Sequence, residues 1–148
     1  MSMFSSFNIN ASGMTAQRYR MDIISENVAN ANTTRTEDGT PYRRKVAYFE
    51  EKGGHSSFDA ALNQAKSAYT GQGVKVTGVY EDYSTEMKKV YDPSHPDADE
   101  DGYVLYPNVD IVTEMTNIID ASRAYEANAT AFSASKSMAL KGLQIGQA

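Results

Sequence analysis

The chain has 148 residues, enough for one modest core and short for two. Its net charge of -5 argues against nucleic-acid binding, which needs a basic surface to neutralise phosphates. Cysteine is absent, which excludes a disulfide framework and a thiolate metal site, and no apolar run approaches the ~20 residues that span a bilayer.

Hydrophobic residues make up 41% of the chain, so it is not disordered throughout. Mean hydropathy is nonetheless -0.53, and Gly, Asn, Ser and Thr are plentiful towards both ends, the composition of a chain whose order is partial until a partner supplies contacts. Met1 to Asn10 lacks the charged and apolar regions of a cleavable signal, so passage out of the cytoplasm would need a signal-independent route.

The first predicted element is a helix from Asn10 to about Thr34. Met14, Gln17, Met21, Ile24, Val28 and Ala31 recur at steps of three and four and form one stripe. Asn10 or Ser12 is the expected cap, and Gly13 weakens the first turn. Asn27, Asn30 and Asn32 either fray the end, since Asn competes for backbone hydrogen bonds, or bond to a companion helix or a neighbouring molecule.

Strands are expected at Tyr42–Phe49, Val74–Tyr80, Met87–Tyr91 and Tyr103–Tyr106, which are rich in Val and Tyr and bounded by turn residues. Arg43-Arg44-Lys45 reads as a solvated strand face. Gly53-Gly54 marks a break before a short helix or loop at Ser57–Tyr69. Gly71-Gln72-Gly73 lacks the third glycine and the following helix of a dinucleotide turn and marks a strand start.

A long helix is predicted over Asp110–Lys141, about 48 Å at 1.5 Å per residue, with Asp110 as N-cap, Glu114 favouring the dipole and Gly142 as stop. Ile111, Ile118, Tyr125, Phe132 and Ala139 form one seven-residue series, and Met115, Ser122, Ala129, Lys136 and Leu143 a second. Together they read as a coiled-coil seam, with Lys136 snorkelling. The off-seam positions are mostly Ala and Ser, whereas a helix exposed to water normally carries a charged outer face. Neighbouring subunits are therefore expected on more than one side. Arg123, with Tyr125 and Asn128 close by on a charge-poor helix, is a candidate contact.

The fold class expected is α+β, long N- and C-terminal helices pairing as a coiled coil around a small β-rich insert. The segments are 1–36, 37–106 and 107–148, the first and last forming one structural unit. Asp97-Ala98-Asp99-Glu100-Asp101-Gly102 matches the opening of a calcium loop, but Asn108 stands where the bidentate Glu belongs, and Pro93 and Pro96 disfavour an incoming helix. The run reads instead as a solvated turn or a contact with a basic patch on another subunit. His55 and His95 are too far apart to suggest zinc. With no nucleophile, phosphate loop or carboxylate pocket, an enzyme has no residues to stand on, and no cofactor is expected.

Ser12-Gly13-Met14-Thr15-Ala16-Gln17-Arg18, followed by Asn27-Val28-Ala29-Asn30-Ala31-Asn32-Thr33, resembles the N-terminal signature of bacterial flagellar rod and hook proteins. Tyr91 to Val104 running into Tyr106-Pro107-Asn108-Val109-Asp110, then Glu114-Met115 and Ala121 to Asn128, narrows the resemblance to the proximal rod. It covers roughly residues 8–36 and 90–146, with Ile111 in place of an expected Pro. The resemblance implies a torque-transmitting structural subunit of the basal body in the cell envelope. It also implies export by the flagellar type III apparatus without cleavage, and assembly with itself, other rod proteins and the basal-body base. Expected contact residues are Met14, Met21, Ile24, Asn27, Val28, Asn30, Asn32, Ile111, Met115, Ile118, Arg123, Tyr125, Asn128, Phe132 and Leu143. The competing readings are a secreted coiled-coil adaptor and a calcium-binding interaction module.

Overall fold

A computed structural model describes residues 3–52 and 71–146. The elements in chain order are α1 (Met3–Ala29), β1 (Lys45–Glu51), β2 (Val74–Glu81), β3 (Lys88–Tyr91), β4 (Tyr103–Tyr106) and α2 (Ile111–Ile145). The fold is α+β, two long terminal helices and two small antiparallel pairs, β1 with β2 and β3 with β4. The Ser57–Tyr69 expectation lies outside the described residues.

Element boundaries moved for local reasons. Helix α1 begins well before Asn10, and Ser12 is not its cap; the Ser12 hydroxyl donates to the Ile9 carbonyl and accepts the Val74 N–H. The helix stops at Ala29, where the Asn30 side chain donates to the Glu26 carbonyl and the Ala31 N–H turns to Val28. Asp110 does cap α2, accepting from the Thr113 hydroxyl at 2.7 Å, and that bond holds its carboxyl below the ordinary value. Gly142 does not stop α2, which runs on to Ile145.

By contact the chain forms two compact units, one of Met1–Arg18, Tyr48–Gly78 and Ser122–Ala148, the other of Tyr19–Ala47 and Val79–Ala121. In the first unit the helical segments pair antiparallel: the Phe7 and Phe132 rings meet edge to face at 5.0 Å, and Gly13 abuts Asn128. A Cβ on Gly13 would stand 2.7 Å from the Asn128 Oδ1, so a larger residue there must displace the Asn128 side chain. The buried residues of this unit are Ala16 and Ser135 among those described. The second unit holds Ile24, Asn27, Ala31, Tyr42, Val104, Pro107, Asn108, Val109, Glu114 and Ala121. Among the described residues, most of those buried therefore lie in one unit.

The inward positions of α2 differ from the expected seam. Glu114, Ala121 and Ser135 are buried and Asn128 is half-buried, one residue before the series Met115, Ser122, Ala129, Lys136, whose Met115 and Lys136 are exposed. Ile118, Phe132 and Ala139 of the other series are half-buried, whereas Ile111 and Tyr125 are exposed. The apolar pattern misled because the helices meet through small and hydrogen-bonded polar side chains. Asn128 packs on Gly13 with its amide bonded to the Ala124 carbonyl.

Candidate assembly surface

The site begins with what fixes the helices in the second unit. Asn27 is 1% exposed and uses all four amide valences. Its Nδ2 donates to the Lys45 carbonyl at 2.8 Å and to Glu114 Oε2 at 3.2 Å. Its Oδ1 accepts the Tyr42 hydroxyl at 2.9 Å and the Lys45 N–H at 2.8 Å. Of the two readings of the asparagines, Asn27 takes the bond to the companion helix and Asn30 the helix end; Asn32 is exposed.

Glu114 is also 1% exposed, and its charge is matched by Arg44, whose Nε lies 2.8 Å from Oε1. Asn117 donates to the same oxygen at 3.4 Å. The Arg43-Arg44-Lys45 run is thus not a solvated strand face. Arg44 enters the interior, Arg43 lies 4.1 Å over the Tyr83 ring, and Lys45 pairs with Glu26. A buried carboxylate needs such a partner, since an uncompensated one costs several kcal/mol, of order 3–5. Asn108 forms a second hub, accepting the Arg44 N–H and donating to the carbonyls of Asp82 and Thr85.

Electrostatics follow from this packing. Burial pushes the Tyr42 phenol well above its ordinary range, and the carboxylates of Glu26, Glu114 and Glu81 add to the push. The hydroxyls of Ser84 and Thr85 hold the Asp82 carboxyl far below its ordinary value. Asp82 also lies 3.6 Å from Arg44.

The Asp-rich run forms the β3–β4 connection. Asp97 accepts from Thr34 and faces Arg35, and Asp99 accepts the N–H groups of Asp101 and Tyr103. Gly102, at φ +81°, supplies the left-handed residue that closes the turn. Asp97 and Asp99 are thus committed to donors of the chain itself.

On α2, Val112, Met115 and Ile119 are 72%, 55% and 51% exposed and follow at three- and four-residue steps. They face away from Glu114 and Ala121. Met138, Leu140, Leu143 and Ile145 of the first unit are also exposed. Arg123 is exposed and makes no ion pair among the described residues. On α1, Met14, Met21 and Val28 are half-buried and Ile24 is buried. Sequence reasoning missed Val112 and Ile119 because they lie off the heptad series. It also missed Tyr42, Arg44 and Asn108, whose partners are distant in sequence. No helix among the described residues is long and apolar enough to cross a membrane.

Exposed aliphatic side chains thus lie on a helix held in place by a buried polar network. Residues 7–35 match the family of flagella basal body rod proteins, and residues 100–145 match the C-terminal family of the flagellar basal body rod FlgEFG proteins. These two matches define the class, the flagellar basal-body rod proteins. The flagellar basal-body rod protein FlgC of Bacillus subtilis (strain 168) is 46% identical, over 99% of this chain and 100% of the relative. FlgC of Borreliella burgdorferi is 45% identical over 99% of each chain, and FlgC of Salmonella typhimurium (strain LT2) is 44% identical over 99% of this chain and 100% of its own. The chain belongs to the FlgC family of rod proteins.

Proposed function

We propose that this chain is a structural subunit of the bacterial flagellar basal-body rod, polymerising through its terminal helices to carry torque. The observation that carries the reading is the exposed aliphatic stripe Val112, Met115 and Ile119 on a helix with few charges. Contiguous apolar surface of this kind marks a protein–protein contact, and small residues around it let further helices approach closely.

Function here is assembly, without chemistry. Its partners are copies of the chain, other rod proteins and the basal-body base, and it reaches them through the flagellar type III export apparatus. Neither nucleic acid nor membrane insertion is part of this role. Nothing in the geometry favours the adaptor or the calcium module, since Asp97 and Asp99 already hold donors of the chain itself. Met14, Met21, Val28, Asn32, Ile111, Arg123, Tyr125 and Leu143 remain candidate contact residues. Asn27, Ile24, Asn128 and Phe132 act on assembly through the helices they position. Complementation of a strain lacking its own FlgC tests the reading: restored swimming, with the chain present in purified basal bodies, is expected. A chain exported yet absent from basal bodies would refute it.

A further inference from the structure

The second unit buries a carboxylate and a fully engaged amide, with a partly exposed guanidinium set against the carboxylate. The buried apolar residues of its two helices are Ile24 on α1 and Ala121 on α2, so few apolar side chains there resist one helix sliding along another. One-turn ratchets of packed helices are a known mode of conformational change, with a step of about 5.4 Å. A rod under torque loads its subunits in shear, so this argument rests on the proposed function. We infer that Asn27, Arg44 and Glu114 are positioning residues that lock the axial register of α1, β1 and α2 in the second unit.

The geometry makes the lock specific. Sliding α2 one turn in one direction brings Asn117 or Ile118 to the place of Glu114; sliding it the other way brings Asp110 or Ile111. In the first case the Arg44 guanidinium and the Asn27 amide face a neutral side chain. In the second the Asp110 carboxylate travels with its own helix, still bonded to Thr113, while Glu114 is carried away from Asn27 and Arg44. Each shifted register leaves a buried polar group unmatched, which single small contacts such as Ala121 cannot offset. Buried ion pairs often add little stability over well-packed apolar groups, and a single buried Asn is known to fix the register of paired helices. The role assigned is therefore alignment, separable from stability.

The test uses the full chain. Because it has no cysteine, Ser25→Cys and Thr116→Cys place spin labels only on the exposed faces of α1 and α2 in this unit. The intact network is expected to give one narrow inter-label distance. The triple variant Asn27→Leu, Arg44→Met, Glu114→Leu is expected to keep its helicity at a lower thermal midpoint, because the Lys45 backbone and the Tyr42 hydroxyl lose Asn27, while gaining a second distance population displaced by about one turn. Glu114→Gln covers the case in which the triple variant fails to fold. Glu114 accepts at both oxygens, and a glutamine turns one of them into a donor facing Asn27 or Arg44, so its distance is expected to broaden. A single unchanged distance in the triple variant, or in Glu114→Gln if the triple variant loses helicity, would overturn the lock. So would a broad distribution with the network intact. A chain that holds one register yet fails to enter the rod would count against the rod reading and leave the lock standing.

Discussion

Replacing Asn27 by Asp changes one group and almost no volume, yet it inverts the chemistry at the centre of the second unit. The Nδ2 that donates to Glu114 Oε2 at 3.2 Å becomes a second carboxylate oxygen. Two unit charges at that separation repel by about 5 kcal/mol at an effective dielectric of 20. The pair can avoid this by taking up a proton, and protonating an acid of ordinary pKa ~3.9 at pH 7 costs about 4 kcal/mol. Protonation is the cheaper route and sets the loss. The loss of a donor to the Lys45 carbonyl adds about 1 kcal/mol. The same protonation costs only about 1.5 kcal/mol at pH 5, so the variant should recover close to 3 kcal/mol relative to the native chain on acidification. Urea unfolding of both chains at pH 7 and pH 5 measures this. A loss below about 1 kcal/mol at pH 7, or one of the same size at both pH values, would refute the buried, charge-matched placement of Asn27.

The Tyr42 phenol, held above its ordinary value of 10.0, gives stability that is present below about pH 10 and lost as pH rises further. Tyr42→Phe should flatten that alkaline loss while costing about 1 kcal/mol at neutral pH, as read from thermal melts across pH 8–12. In the first unit, Gly13→Ala sets a helix-propensity gain of about 1 kcal/mol against displacement of Asn128 and is expected to be nearly neutral in melts. Gly13→Val should cost roughly 1–3 kcal/mol and reduce swimming, and a Val variant equal to the native chain would refute the close approach. Hydrogen exchange on dilute monomer should show strong protection at 19–29 and 111–121 and weak protection at 3–18 and 122–146, because the buried residues among those described concentrate in the second unit. Equal protection of both sets would contradict that asymmetry.

How much of this was legible in the sequence varied with the physics of each element. The four strands fell within a few residues of expectation because Val- and Tyr-rich runs bounded by turn residues are local signals. The N-terminal stripe was also visible: Met14, Met21, Ile24 and Val28 on α1, and Ala31 in the turn after it, are all half-buried or buried. The inner face of α2 was hidden, because a hydrophobic pattern searches for apolar residues and the inward positions are Glu114, Ala121, Asn128 and Ser135. Their seven-residue spacing was the available signal. Glu114 was read as a dipole effect since its partner Arg44 lies seventy residues earlier. Each of the two units takes residues from both terminal regions and the middle, so composition along the chain could not reveal that division.

The central claim is that the charge-poor outer face of α2 joins subunits. Met115→Asp with Ile119→Asp alters only exposed side chains of that face, so circular dichroism of the purified chain should be unchanged. The amount of this variant in purified basal bodies, measured in a strain without native FlgC, is the most direct test. The account predicts that the variant is exported and absent from the basal body, with swimming lost. Incorporation at the native level would contradict it.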